Sequence, residues 1–248
     1  MILISIGNTR TLLAHTSDGE LFTSERFATT RSPAQIRAGL PASWAKWWRS
    51  EEIFLAGVVP QAQQAWLKEL QDCNLPGWDP SVFHQILPND YQPPESLGFD
   101  RRCCLLGAWK EVHNDAALVI DAGTAITIDT LAAGRFCGGR IMPGLQSQLD
   151  CLQRQTALLP QIDLRPTPEA RANDTVNGML AGVWYGTIAA IRQTIVDFQR
   201  EHPAGRVFLT GGDANLLLAQ IAPVTCDPLL LLRGFFLLVS ENRFTSKI

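Results

Sequence analysis

The chain has no run of residues both apolar and long enough to cross a bilayer. Its most apolar stretch, Leu229 to Val239, is too short and carries Arg233 near its middle, so a buried helix is expected there rather than a membrane span. A basic region followed by a cleavable apolar segment is also missing, because the first apolar run is only Ile2-Leu3-Ile4 and ends in turn residues. Cytoplasmic residence is the expectation. Basic charge is not in excess: a net charge of −3 provides no field to hold a polyanion, which argues against nucleic-acid and membrane partners and for a small-molecule substrate. Six cysteines, at 73, 103, 104, 137, 151 and 226, form no C-x-x-C pair, and the four histidines show no ligand spacing beside them. Neither a zinc site nor a disulfide framework is expected, and the thiols read as buried and free. Nor is there a G-x-x-x-x-G-K-[ST] loop, a G-x-G-x-x-G turn at a strand-to-helix junction, or a protein-kinase signature.

What is present is the composition of a folded protein, 46% hydrophobic and 18% charged, with 19 glycines and 15 prolines spread along 248 residues. That length has room for two compact units. Two segments look like copies of one device: Ile2-Leu3-Ile4-Ser5-Ile6-Gly7-Asn8-Thr9 and Leu118-Val119-Ile120-Asp121-Ala122-Gly123-Thr124, whose glycines stand 116 positions apart. Each begins as an apolar run of strand type, breaks at a glycine that lets a turn approach a ligand, and continues as a second β-rich run. Gly19 and Gly134 mark a further turn at nearly the same distance downstream. The same offset sets Ser5 opposite Asp121, a hydroxyl in one copy and a carboxylate in the other.

The first half reads as a three-stranded meander over 2–6, 11–16 and 21–27. A helix follows over 32–49, with Ser32 as N-cap and Pro41 arguing for a break, then a strand over 53–59, a helix over 61–73 and a short strand over 81–87. Residues 88–98 are polar and proline-rich and are expected to form a loop with Tyr91 in it. A helix over 100–112 leads to the second meander, 118–121, 125–131 and 135–141, with the boundary between halves near Asn114. Helices are expected at 145–155 and 177–200, then a strand at 207–210, a glycine turn at 211–213, and helices at 214–221 and 229–242. Two α/β units, 1–114 and 115–248, facing across a nucleotide cleft are the resulting expectation.

Backbone N–H groups and a hydroxyl at a Gly-Thr turn suit phosphate oxygens. One such turn says little, since plain hairpins carry them too, but two matched turns with a third at Thr210-Gly211-Gly212-Asp213 point to a nucleotide site. Asp100 starts a helix directly after the Tyr91 loop. Two readings offer themselves, a capping carboxylate or a general base with Arg101 beside it for an anionic substrate, and taken alone these residues favour the cap. Trp44, Trp47, Trp48, Trp66, Trp78, Trp109 and Trp184 read as core and interface rather than as a base-stacking track.

Five motifs in order carry a resemblance. They are Gly7-Asn8-Thr9, Gly98-Phe99-Asp100-Arg101, Ile120-Asp121-Ala122-Gly123-Thr124-Ala125, Gly138-Gly139-Arg140-Ile141-Met142-Pro143-Gly144 and Thr210-Gly211-Gly212-Asp213. Over nearly the whole chain they resemble type III pantothenate kinases, members of the actin-like ATPase superfamily of acetate and sugar kinases. That resemblance implies an α/β fold of two tandem ribonuclease-H-like domains and ATP-dependent phosphorylation of pantothenate to 4′-phosphopantothenate, the entry step to coenzyme A. It assigns the turn Ser5, Ile6, Gly7, Asn8, Thr9, Arg10, Thr11, Leu12, with Thr124, Gly211 and Gly212, to ATP, which would enter with Mg²⁺. Asp100 takes the role of base. Tyr91, Gly98, Phe99, Asp100 and Arg101 would hold pantothenate, Thr175 would reach the substrate of the neighbouring subunit of a homodimer, and Asp121 would bind a monovalent cation, K⁺ or NH₄⁺. One departure is plain: the family pattern begins D-x-G-N-T, and this chain has Ser5-Ile6-Gly7-Asn8-Thr9. A carboxylate missing beside the phosphates is expected to weaken Mg²⁺ placement, and the alternative it raises is a weak or inactive relative that binds nucleotide or pantothenate as an accessory protein.

Overall fold

The computed structural model describes residues 1–113 and 115–245, with side chains as far as Glu241. In chain order the regular elements are β1 (Ile2–Ile6), β2 (Arg10–His15), β3 (Thr23–Ala28), α1 (Pro33–Ala38), α2 (Ala42–Ser50), β4 (Ile53–Gly57), α3 (Pro60–Glu69), α4 (Phe83–Ile86) and α5 (Phe99–Val112). They continue as β5 (Ala117–Ala122), β6 (Ala125–Ala132), β7 (Arg135–Pro143), α6 (Leu145–Gln155), α7 (Thr175–Glu201), β8 (Arg206–Thr210), α8 (Ala214–Ile221), β9 (Thr225–Cys226) and α9 (Leu230–Thr245).

Two compact units divide these elements. The first holds Met1–Glu111 together with the segment from Leu229 onward, and the second holds Val112–Pro228. The sequence gives everything from 115 to the second half; in the structure α9 belongs to the first unit. Its backbone explains this: a Cβ at Gly234 would strike the Cys103 carbonyl, and one at Gly107 the Leu230 carbonyl. Helices α5 and α9 thus meet backbone to backbone, a contact far apart in sequence and invisible to local pattern. Asn114, the expected boundary, lies outside the described residues.

Each unit is built on the same sheet. The first orders its strands β3-β2-β1-β4 and the second β7-β6-β5-β8-β9. In both, three antiparallel strands are extended on the far side of the first by a parallel strand, β4 beside β1 and β8 beside β5. The internal repeat is therefore a repeat of topology. Its register also explains why the second copy runs one residue short: Ile6 pairs with Thr11 across the first bend, Ala122 with Ile126 across the second.

Side-chain alternation sets the layers. Ile2, Ile4 and Ile6 of β1 share one face of the first sheet and pack with Trp44, Trp48 and Trp66; Leu3 and Ser5 lie on the other. Each such buried aromatic contributes several kcal/mol, and truncating one costs about 3–5 kcal/mol. Pro41 separates α1 from α2 as expected, and Ser32 caps α1 with Gln35 in a reciprocal box. In the second unit, Leu118, Ile120 and Ala122 of β5 pack with Leu145 and Leu149 of α6, Trp184 and Ile188 of α7 and Leu217 of α8.

One expected strand is a helix. Residues 81–87 fold as a 3-10 turn over Pro80–Val82 continued by α4, because the Asp79 carboxylate accepts from the Ser81 N–H at 2.8 Å and Pro80 opens the turn. The thiols also divide: Cys103 and Cys104 are buried as expected, whereas Cys137 and Cys151 are exposed. Burial pushes the Cys103 thiol well above its ordinary range.

Candidate active site

The first bend, residues 7–9, sits between β1 and β2 with Asn8, Thr9 and Arg10 exposed. It is held from the end of β3. Thr29 donates its hydroxyl to the Gly7 carbonyl at 2.8 Å and its N–H to the Thr9 carbonyl at 3.0 Å, while its Oγ1 lies 3.2 Å from that of Thr11. Of the residues assigned to ATP here, Ile6 and Thr11 are buried and support the turn from beneath, and Leu12 is half-buried. Ser5 is 6% exposed and lies between Leu12 and Ala56 of the flanking strands.

The second bend is clamped differently. The Thr124 carbonyl accepts from the Gly144 N–H at 2.9 Å and from the Ser147 hydroxyl at 2.7 Å, so the start of α6 fixes it while the Thr124 side chain stays exposed. Asp121, at the end of β5, lies between Thr127 and Thr210 of the neighbouring strands. The turn after β8 comes against it. Gly211 has φ +99°, and a Cβ there would meet both the Asp121 carboxylate and the Ala122 carbonyl, which leaves glycine as the residue that fits. Asp213 then donates its N–H to the Ala122 carbonyl at 2.9 Å. Asp121, Thr124, Gly211 and Gly212 are in this way gathered at one end of the second sheet.

Apart from Thr175, the remaining residues belong to the first turn of α5 and the loop before it. The helix begins at Phe99, so Asp100 stands inside the first turn rather than ahead of it. Its Oδ1 accepts the Arg101 N–H at 2.8 Å, satisfying one of the unpaired donors of a helix start, and the carboxylate is half-buried. Space at 98 is reserved for it, since a Cβ on Gly98 would lie 2.7 Å from Asp100 Oδ1. Arg101 is buried and turned onto the loop: Nη1 donates to the Tyr91 hydroxyl at 3.0 Å and the guanidinium lies 5.2 Å from the centre of that ring. Phe99 points into the core, edge-on to Phe235 at 4.8 Å and to Trp78 at 5.9 Å, so only its backbone is left for a ligand.

Tyr91 is steadied from a second side. Its N–H donates to Asn89 Oδ1 at 3.3 Å, and Asn89 Nδ2 lies 3.0 Å from His84 Nδ1. Burial first, then the charge of Arg102, holds the His84 imidazole below its ordinary pKa. Thr175 is exposed in the first turn of α7, which Asp174 caps by accepting the Asn177 N–H at 2.9 Å. That bond also holds the Asp174 carboxyl below its usual range.

Sequence reasoning missed three supporting groups: Thr29, Ser147 and Arg102. Thr29 and Ser147 have no local signal, because their partners lie far along the chain. Arg102 had one, an arginine directly after the Gly98–Arg101 motif and facing a loop whose prolines leave carbonyls without strand partners.

The family model described as type III pantothenate kinase matches residues 1–197. Among similar proteins, a type III pantothenate kinase of Chlorobium luteolum is 31% identical over 99% of this chain and 95% of its own. One from Synechococcus elongatus is 38% identical over 73% and 72% of the two chains, and one from Fervidobacterium nodosum is 28% identical over 98% of each. Two solved structures align over nearly their full length: a protein of Campylobacter jejuni assigned to the Baf family of transcriptional activators, with TM-score 0.62, 21% identity and coverage of 98% and 99%, and a 2-dehydro-3-deoxygalactonokinase-type protein of Sinorhizobium meliloti, with TM-score 0.56, 16% identity and coverage of 97% and 98%. At those identities they speak for the fold alone, an α/β arrangement shared with both, in agreement with the two sheets of like topology. With four-fifths of its length matched by the family model, this chain belongs to the type III pantothenate kinase family, and its chemistry is that of a phosphotransferase.

Proposed function

We propose that this protein transfers the γ-phosphoryl group of ATP to the primary hydroxyl of pantothenate, giving 4′-phosphopantothenate. The observation that carries the reading is the first turn of α5, where a half-buried carboxylate, Asp100, adjoins an arginine that holds Tyr91 of the preceding loop. Asp100 accepts the hydroxyl proton as the oxygen attacks the γ-phosphorus; the new O–P bond forms, the β–γ bridging P–O bond breaks, and ADP leaves with the bond's electrons. Tyr91 and the backbone of 98–101 orient the alcohol. Exposed Asn8 and Thr9, Thr124, and the glycine turn at 211–212 bind ATP through backbone N–H groups and hydroxyls.

Among the described residues no three His, Cys, Asp or Glu side chains gather to form a protein-made metal cage. Mg²⁺ that reaches a site mainly on substrate phosphates needs only one or two carboxylates. Asp121 fits the monovalent cation: its carboxylate lies in the space that a Cβ on Gly211 would crowd, with hydroxyl-bearing Thr127 and Thr210 in register beside it. Oxygen donors of this kind suit K⁺ or NH₄⁺ at Asp121, and Mg²⁺ would sit on the phosphates, where its positive charge would offset the negative charge on the transferring group.

The same reading includes a homodimer. A cavity of about 420 Å³ lies between α6 and α7, lined by Leu152, Met179 and Val183 with Cys151, Gly178 and Gly182. Gly178, Gly182 and Gly186 recur every fourth residue with open space above each, and Ile141, Tyr185 and Val196 are exposed on the same unit. A second copy of this chain is the occupant proposed, with Thr175 serving the partner's substrate.

Purified protein with ATP, Mg²⁺, K⁺ and pantothenate tests the reading. Formation of 4′-phosphopantothenate, lost by a factor on the order of 10² or more in Asp100→Asn, supports it. Tight binding of pantothenate or nucleotide with no turnover supports instead an accessory role, for which Ser5 is the motive.

A further inference from the structure

Helix α5 carries two successive arginines, and they face different parts of the same segment. Arg101 reaches Tyr91. Arg102 is 8% exposed, and its guanidinium is spent on main-chain carbonyls: Nε donates to Leu97 at 2.8 Å, Nη1 to Pro80 at 3.3 Å, and Nη2 to Glu95 at 3.1 Å and Pro94 at 3.3 Å. Phe83 flanks the group, its ring centre 6.0 Å from the guanidinium carbon, and Asp79 supplies the nearby opposing charge.

The arrangement answers a physical need. Residues 88–98 include Pro88, Pro93 and Pro94, which donate no N–H and cannot join a ladder, so the carbonyls around them require donors from elsewhere. Arginine is the side chain that can serve several at once, because its five N–H groups are fixed in a planar fork and its charge strengthens each bond. A lysine in that place offers one point charge with three donors and cannot reach all four carbonyls. The acceptors also bracket the segment: Pro80 precedes α4, while Pro94, Glu95 and Leu97 follow Tyr91.

We propose that Arg102 is a positioning residue for phosphoryl transfer, fastening both ends of the 80–97 segment to the helix turn that carries Asp100 and so setting Tyr91 and the 98–100 backbone at a fixed distance from the base. The inference rests on the reading of this segment as the pantothenate site. Arg102 touches no reacting atom; it acts through the segment it holds. Its removal is therefore felt in the binding of one substrate and not the other.

Arg102→Met and Arg102→Lys test this by steady-state kinetics and amide hydrogen exchange. In Arg102→Met, KM for pantothenate rises on the order of tenfold while KM for ATP stays within about twofold, and exchange quickens in 89–97 but not in β1, β4 or β5. Arg102→Lys restores folding stability without restoring pantothenate KM, because charge alone does not rebuild the fork. Unchanged exchange in 89–97, a parallel loss for both substrates, or full rescue by lysine overturns the proposal. Wild-type turnover is the control: without it the functional reading falls and this role with it, whereas turnover with an unaltered pantothenate KM in both variants overturns the role of Arg102 alone.

Discussion

Ser5 is where the two copies of the internal repeat part, a hydroxyl in the first against Asp121 in the second, and its neighbours show what the difference involves. In the repeat, Asp121 stands between Thr127 and Thr210, whereas Ser5 stands between Leu12 and Ala56 and is 6% exposed. A hydroxyl tolerates such a place, since it can donate to a nearby oxygen; a carboxylate there needs a cation to offset its desolvation. Ser5→Asp is accordingly expected to raise kcat by about 10²–10³, the size of effect seen for a single electrostatic stabiliser, and to lower the thermal unfolding midpoint in metal-free buffer. Added Mg²⁺ with nucleotide is expected to return the midpoint. Calorimetry and coupled kinetics read the two effects separately, and a rate that does not move would show that Ser5 is not what limits turnover. The gap at position 5 could be read from the repeat alone, because strand register is preserved between copies; its apolar flanks could not, since Ala56 comes from a strand that sequence does not pair with β1.

At the scale of elements, the sequence makes the strands and long helices plain, because periodicity, Ser32 with its box and the Pro41 break are local signals. Residues 81–87 mislead at this scale, since Val82, Phe83, Ile86 and Leu87 look like a short buried strand while the deciding contact is Asp79 on the Ser81 N–H. β9 is two residues long and exists through its pairing with β8, which gives no periodic trace. The 81–87 element supplies a pH dependence. His84 of α4 accepts at Nδ1 from Asn89, and Asn89 in turn accepts the Tyr91 N–H. Burial, then Arg102, depresses the imidazole pKa, with the Asn89 and Pro94 hydrogen bonds and Glu95 opposing more weakly, so folding favours the neutral ring. The stability this contributes is complete above the unfolded value of about 6.5 and is lost as pH falls through the folded one. A protonated Nδ1 can no longer accept from Asn89, which frees Tyr91. KM for pantothenate is thus expected to rise about severalfold between pH 7.5 and pH 5.5, with KM for ATP steady, and the rise to vanish in His84→Gln. A parallel change in both constants would place the titration elsewhere.

For the whole molecule, the repeat predicts two sheets of one topology and the structure has them, but the last helix returns to the first unit because Gly234 and Gly107 permit α5 and α9 to touch. Contacts of that kind depend on shape at long sequence separation, and so does assembly. A Cβ added at Gly178, Gly182 or Gly186 of α7 would meet no atom within 4 Å among the described residues, which leaves their cost in helix propensity, about 1 kcal/mol each relative to alanine, without a visible internal reason. Close approach of a second copy is a reason. Gly182→Leu places a side chain in that open space, improves local helix propensity, and denies the approach. The expected outcome by light scattering after gel filtration is a dimer for the wild type and a monomer for the variant, whose unfolding midpoint at low concentration is no lower than that of the wild type. If Thr175 serves the partner's substrate, the monomer also binds pantothenate more weakly while its affinity for ATP is kept. A wild type that runs as a monomer, or a Gly182→Leu variant that still pairs, would remove the second copy from this groove and leave Thr175 without its assigned partner.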